Sequence, residues 1–366
     1  MSRRASIVFF IVFLFNPHSI PFVFANDSKI EELLREAARH KSFHQNDLAI
    51  QEYEEAKRLQ PGNPEILHGL GVLYFETENY EKAAGLLKAS LEANNRDPLV
   101  HYYLAESFVK LGNAQGAAEE YKNALDLDPN LVQAEYGLSL LLENQGDVST
   151  AKEHYRSVTV KDPNHVGAFF QLGIVAYQEG NLQEAEKYFE RASLIDSKMA
   201  PAHYNLGLVL MKLGDFEKAR NEFKKAITLD PSNPAGFFQA AVAYEEQGFL
   251  NEAASGYEEA LRLNPNWAEA RQRLQAVRNK LTDKEEEMND SAEPRRSTPI
   301  FSGSFGKGGF EAGTPFDPLG NLAQDNTGAP KTSGKALLFQ AGAAVLQQWL
   351  NSRTAQSHAE TQNNSN

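Results

Sequence analysis

Small and large apolar residues return along this chain with one period. Ala37, Gly71, Ala105, Ser139, Gly173, Gly207 and Ala241 stand 34 residues apart, and so do Ala49, Ala83, Ala117, Ala151, Ala185, Ala219 and Ala253. Four residues after each of the latter comes a large apolar side chain: Tyr53, Leu87, Tyr121, Tyr155, Phe189, Phe223 and Tyr257. Pro61, Pro129, Pro163, Pro231 and Pro265 keep the same register, with Asn95 and Ser197 in the two missing places. No insertion breaks it across seven repeats, which marks an array of stacked supersecondary units. Between these landmarks the apolar residues have helical spacing, so each repeat is predicted to be a helical hairpin. Gly112, Gly146, Gly180, Gly214 and Gly248 end the first helix, where a left-handed residue is needed. Asn113, Asp147, Asn181 and Asp215 follow at once and are expected to cap the second helix. Asp-Pro or Asn-Pro then stops it, because proline disfavours helical geometry in the residue before it. Small residues on both helices let their axes approach to about 8 Å. One such hairpin cannot bury its apolar face alone, and stacked neighbours supply the core.

The residues Tyr204-Asn205-Leu206-Gly207, Phe216-Glu217-Lys218-Ala219 and Leu229-Asp230-Pro231 carry a known pattern. In them the chain resembles the tetratricopeptide-repeat (TPR) family, whose 34-residue units are helix–turn–helix pairs. The repeats run 30–63, 64–97, 98–131, 132–165, 166–199, 200–233 and 234–267 within an array of 26–287. The first two depart most from the pattern: His40 and His44 replace the expected aromatic and glycine. The resemblance implies an all-α, right-handed solenoid superhelix with a concave inner groove. The segment 268–287 reads as a capping helix, with Leu274, Val277 and Leu281 at helical spacing for burial. Arg271, Gln272, Arg273, Arg278, Asn279 and Lys280 are expected to solvate the face where another repeat would have packed.

In this family the first helix of each repeat lines the groove through its positions 2, 5, 9 and 12. Position 5 supplies five consecutive aromatics, Tyr102, Tyr136, Phe170, Tyr204 and Phe238, after Leu34 and His68. Position 9 adds Leu140, Ile174 and Leu208, and carries Glu106 in the third repeat. Position 12 adds Tyr177 and Met211, with Glu143 and Glu245 in the fourth and seventh repeats. Position 6 contributes the amides Gln171, Asn205 and Gln239, able to hold a ligand backbone. A surface of this composition suits a peptide or helix with apolar anchors, since aromatic rings give large contact area at low entropic cost. Position 5 can also be covered by neighbouring helices, so a ligand-facing ladder and ordinary interhelical packing are both open. A clamp for acidic peptide termini, which needs Lys and Asn at positions 5 and 9 of adjacent repeats, is not present.

The two ends differ in character from the array. Arg3-Arg4, the apolar run of residues 5–15 and Val23-Phe24-Ala25 have the layout of a signal peptide spanning 1–25. Export to a bacterial periplasm or the extracellular space is expected, and zero cysteines among 366 residues favour the periplasm over eukaryotic secretion, whose domains usually carry disulfides. An uncleaved anchor and, from three Asn-X-Ser triplets, a eukaryotic secretory route are the alternatives. Residues 288–332 read as a Gly/Pro-rich flexible linker, 333–353 as an amphipathic helix and 354–366 as a polar disordered tail. Leu338, Phe339, Val345, Leu346, Trp349 and Leu350 share one face of that helix. It can dock into the groove of its own array, bind a partner or dimerise; membrane contact is not expected, with only Lys331, Lys335 and Arg353 flanking it.

Charge and chemistry narrow the function. A formal net charge of −13 argues against nucleic acid, which is held by neutralised phosphates. The stretch 328–336 is one residue too long for a phosphate-binding loop and has Ala336 where Ser or Thr must reach magnesium. His40 and His44 stand at i and i+4 but lack the adjacent glutamate of a metalloprotease helix. No catalytic residue, metal or cofactor is expected. The chain reads as a non-catalytic scaffold or adaptor for protein partners, with a self-assembling structural protein or a substrate-holding subunit of a separate enzyme as alternatives.

Overall fold

The computed structural model describes residues 20–94 and 96–291. These residues form fifteen α-helices and no strand. The chain divides into two compact halves between Pro163 and Asn164. The N-terminal half holds α1 (Ile20–Ser42), α2 (Asn46–Leu59), α3 (Pro64–Glu76), α4 (Tyr80–Ala93), α5 (Pro98–Lys110), α6 (Ala114–Leu127), α7 (Val132–Asn144) and α8 (Val148–Lys161). The C-terminal half holds α9 (Val166–Gln178), α10 (Leu182–Ile195), α11 (Ala200–Leu213), α12 (Phe216–Leu229), α13 (Pro234–Glu246), α14 (Leu250–Leu263) and α15 (Ala268–Ser291). Each repeat is therefore one antiparallel pair, and within each half every helix packs on its predecessor and successor.

The small-residue register is explained by close contact. A Cβ built on Gly207 would sit 2.6 Å from the Phe223 ring, and one on Gly173 2.7 Å from Phe189. Gly71 stands in the same relation to Leu87, at 2.8 Å. The large apolar residue of each second helix thus presses into a notch that only glycine, alanine or serine leaves open. Around this contact the C-terminal half builds a core of Phe170, Phe189, Leu206, Val209 and Phe223. The N-terminal half builds one of Leu87, Leu104, Phe108, Tyr121 and Leu138.

The turns follow the predicted chemistry with two departures. Gly112, Gly146, Gly180, Gly214 and Gly248 all have positive φ, and His44 (φ 55°) and Glu78 (φ 62°) keep the same backbone in the first two repeats without glycine's freedom. Asn113, Asp147 and Asp215 cap α6, α8 and α12 by accepting from Gly116, Thr150 and Lys218 backbone N–H groups. Asn181, expected to cap α10, makes no such bond; its amide donates to Glu179 instead. His165 was not read as a cap, yet its Nδ1 accepts from the Ala168 N–H at the start of α9.

The capping helix needs a further correction. Leu274 and Val277 are buried as expected, but the helix continues to Ser291, so the first four residues of the predicted linker are helical. Of the six polar residues assigned to solvent, Arg273 and Lys280 fold back onto Glu245 of α13. The signal sequence ahead of Ile20, the remainder of the linker and the tail helix with Leu338, Phe339, Val345, Leu346, Trp349 and Leu350 lie outside the described residues.

Candidate functional site

In the N-terminal half α3 touches α5 and α5 touches α7; in the C-terminal half α11 touches α13. First helices of successive repeats thus gather on one side, and their outward residues form an inner wall in each half. Two of the five position-5 aromatics turn away from it. Phe170 is fully buried (0%), packed edge-on against Phe189 at 5.5 Å. Phe238 (4% exposed) lies between Tyr257 at 5.5 Å and a stacked Trp267 at 4.4 Å. Gln171 is 3% exposed. These three residues do not line an accessible surface. Tyr102, Tyr136 and Tyr204 make the same ring contact, with Tyr121 at 6.4 Å, Tyr155 at 5.9 Å and Phe223 at 5.8 Å, but remain half-buried.

The two position-6 amides that keep some exposure are also engaged. Asn205 donates to the Pro201 carbonyl inside its own helix at 2.9 Å, and Gln239 lies beside the Tyr204 hydroxyl and favours its ionised form. Neither is held ready for a ligand backbone. The wall of the C-terminal half is instead the half-buried strip Ile174, Tyr177, Tyr204, Leu208 and Met211, packed from below on the core. Lys212 stands over the Tyr177 ring at 4.3 Å and gives this strip a cationic rim.

The N-terminal half differs in charge. Its wall holds Tyr102, Tyr136 and Leu140, and with them Glu106 and Glu143. Burial raises both carboxyl groups above the ordinary carboxylate value. Each accepts from a core tyrosine: Tyr121 donates to Glu106 at 2.5 Å and Tyr155 to Glu143 at 2.6 Å. In the seventh repeat Tyr257 donates to Glu245 at 2.8 Å. Burial pushes Glu245 up as well, but hydrogen bonds from Lys280 and Tyr257 and the charges of Lys280 and Arg273 outweigh it and hold it below the ordinary value. These carboxylates were not singled out from sequence. The signal was there: in repeats three, four and seven a tyrosine on the second helix accompanies a glutamate at position 9 or 12 of the first, whereas Phe189 and Phe223 accompany Ile174, Tyr177, Leu208 and Met211.

Elsewhere, histidine–glutamate pairs stitch first to second helices: His101 with Glu120 at 2.6 Å and His203 with Glu222 at 2.7 Å. An open depression of about 870 Å³ between α10 and α12 has Leu194, His203, Lys225 and Leu229 in its lining, away from the inner wall. Among the described residues no group of three His, Cys, Asp or Glu could hold a metal ion, and no helix is long and apolar enough to cross a membrane.

Comparison with known proteins bears on the family. Models of the tetratricopeptide repeat match residues 98–131 and 200–233, 43–106, and 136–201. The chain is 31% identical over 119 residues to the peroxisomal targeting signal receptor of Kluyveromyces lactis, covering 31% of this chain and 21% of that one. It is 34% identical over 93 residues to BBSome complex member BBS4 of Bos taurus, covering 25% and 18%. It therefore spans about a fifth of the length of these relatives. Pseudomonas aeruginosa pilF superposes with a TM-score of 0.51 at 22% identity, over 58% of this chain and 96% of that one, a likeness of fold. With the repeat matches covering about half of its length and falling on the hairpins described above, the chain belongs to the tetratricopeptide-repeat family.

Proposed function

We propose that the protein is a non-catalytic interaction scaffold whose inner wall takes a peptide or helical segment of a protein partner outside the cytoplasm. The observation that carries this reading is the half-buried strip Ile174, Tyr177, Tyr204, Leu208 and Met211, which packs on the core and keeps part of its surface open. Rings and thioethers in that state gain contact area on binding at little entropic cost. Support for export comes from Arg3-Arg4, the apolar run and Val23-Phe24-Ala25. Cleavage after Ala25 would leave Ile30, Leu33 and Ala37, the residues that α1 buries, in place.

The test is a photo-crosslinking amino acid at Leu208 or Met211, compared with the same group at Leu194, which is 71% exposed on α10. Crosslinks to a discrete partner are expected from the first two sites and not from the third, on a chain whose intact mass begins at Asn26. Equal labelling at all three sites would remove the groove reading, and a mass that retains residues 1–25 would remove cleavage from it. Phe170→Ala is unsuited to this purpose, since it opens a core cavity at a cost of about 3–5 kcal/mol.

A further inference from the structure

The Tyr257–Glu245 pair shows what completes such a pair in this protein. Arg273 Nη1 reaches the Glu245 carboxylate at 3.3 Å and Lys280 Nζ at 2.9 Å, both from one face of α15. The other two pairs have no cation within ion-pair distance, although the charge of Lys110 acts on Glu106 from farther off. Among the described residues neither Glu106 nor Glu143 forms an ion pair, and each has one hydrogen bond, from its tyrosine. The array's own register explains the difference. Gly137 and Asn144 follow Glu106 in the places of Arg273 and Lys280. Two half-buried carboxylates are therefore left on the wall of the N-terminal half, beside Tyr102, Tyr136 and Leu140. In the C-terminal half Gln171, also almost fully buried, holds an Oε1 acceptor with no donor among the described residues. Each carboxylate accepts one hydrogen bond, from its tyrosine, and has lone pairs left for a further donor.

We infer that the segment taken by the wall of the N-terminal half is a basic amphipathic helix of a separate partner. It would have an apolar stripe for Tyr102, Tyr136 and Leu140, and Lys or Arg beside that stripe for Glu106 and Glu143. This rests on the groove reading above and gives it a ligand chemistry. A charge-assisted hydrogen bond in a partly dry site is the strong kind, and burial raises both carboxyl groups, outweighing the tyrosine hydrogen bonds and, at Glu106, the charge of Lys110. An acidic or neutral helix would leave these groups desolvated and unpaired, which is costly. The tail segment 333–353 fits poorly as occupant, because Lys335 and Arg353 stand at its ends, outside its apolar face.

The experiment uses the full chain and two synthetic amphipathic helices with the same leucine face. One carries Arg and Lys seven residues apart, the spacing of Arg273 and Lys280; the other carries Gln at both places. Fluorescence anisotropy at about 150 mM salt, where long-range attraction to the acidic chain is screened, should show the basic helix binding at least tenfold tighter. Glu106→Gln with Glu143→Gln should erase that preference, while Glu81→Gln with Glu119→Gln, both exposed in the same half, should leave it intact. Glutamine still accepts from Tyr121 and Tyr155, so the variant should keep its helical circular dichroism. Equal binding of the two helices, unchanged by the double variant, would overturn the basic-ligand inference and spare the groove. Binding of neither helix, or binding indifferent to Tyr136→Ala with Leu140→Ala, would overturn both.

Discussion

Glu245→Gln isolates the contact on which the electrostatic argument turns. The wild-type carboxylate is 13% exposed and takes Lys280 at 2.9 Å, Arg273 at 3.3 Å and the Tyr257 hydroxyl at 2.8 Å. Its cations are wetter, Lys280 at 54% and Arg273 at 37%, so the loss falls below the 3–5 kcal/mol of breaking a fully buried pair. The exposed lysine is worth about 0.5 kcal/mol, and the arginine with the weakened tyrosine bond about 1.5 kcal/mol more. The total is about 2 kcal/mol, or roughly a thirtyfold change in an opening equilibrium. Among the helices described, α15 packs chiefly on α14 at the end of the stack, and a terminal element of a solenoid opens by itself. Hydrogen exchange should therefore quicken about thirtyfold in residues 274–280 and hardly at all in α11 and α12. Lys280→Gln alone should give about twofold to threefold. The sign with pH is set by the lowered carboxyl of Glu245: its stabilisation is fully present above the unfolded carboxylate value and is lost as pH falls through the folded one. The gap between wild type and Glu245→Gln should close in acid. An effect under threefold, one spread evenly over the C-terminal half, or a gap that widens in acid would refute the claim that the cations of α15 complete the Tyr257–Glu245 pair.

Two further substitutions test the fold. Glu78→Gly removes a non-glycine residue from left-handed backbone (φ 62°) and should stabilise by about 1 kcal/mol in urea unfolding; a loss of stability would mean that the side chain of Glu78 offsets the strain. Gly207→Ala drives a methyl to 2.6 Å from Phe223 and should destabilise by about 1–3 kcal/mol. The same change at exposed Gly85, with nothing within 4 Å inside α4, should stabilise by about 0.5–1 kcal/mol. Equal effects at the two glycines would show that propensity, not contact, sets the small-residue register.

What was legible in the sequence followed from constraints that act within one hairpin. Gly173 and Gly207 must be small because Phe189 and Phe223 of the same repeat press on them, so the period is written without reference to distant residues. The fate of position 5 was not legible, since it lies between the hairpin's interior and the inner wall. Phe170 and Tyr204 have the same spacing and the same kind of ring beneath them, yet one is sealed and the other half open. Packing beyond the repeat decides which, and a periodicity argument does not reach that far. Asn181 differs for a local reason: its amide nitrogen donates to Glu179, two residues before it, and its side chain makes no cap bond. The carboxylates of the wall are a different case. A tyrosine hydroxyl at a core position must find an acceptor, and in a helix the backbone carbonyls are already taken. A phenylalanine at the same place makes no such demand, and repeats five and six accordingly keep apolar residues at positions 9 and 12. Tyr121, Tyr155 and Tyr257 meet that demand with Glu106, Glu143 and Glu245, whereas half-buried Tyr53 of the first repeat has Ala38 and Lys41 at positions 9 and 12. In repeats three to seven, a choice between two nearly isosteric rings in the core thereby sets the charge of the surface on the far side of the helix, and with it the chemistry of what that surface can hold.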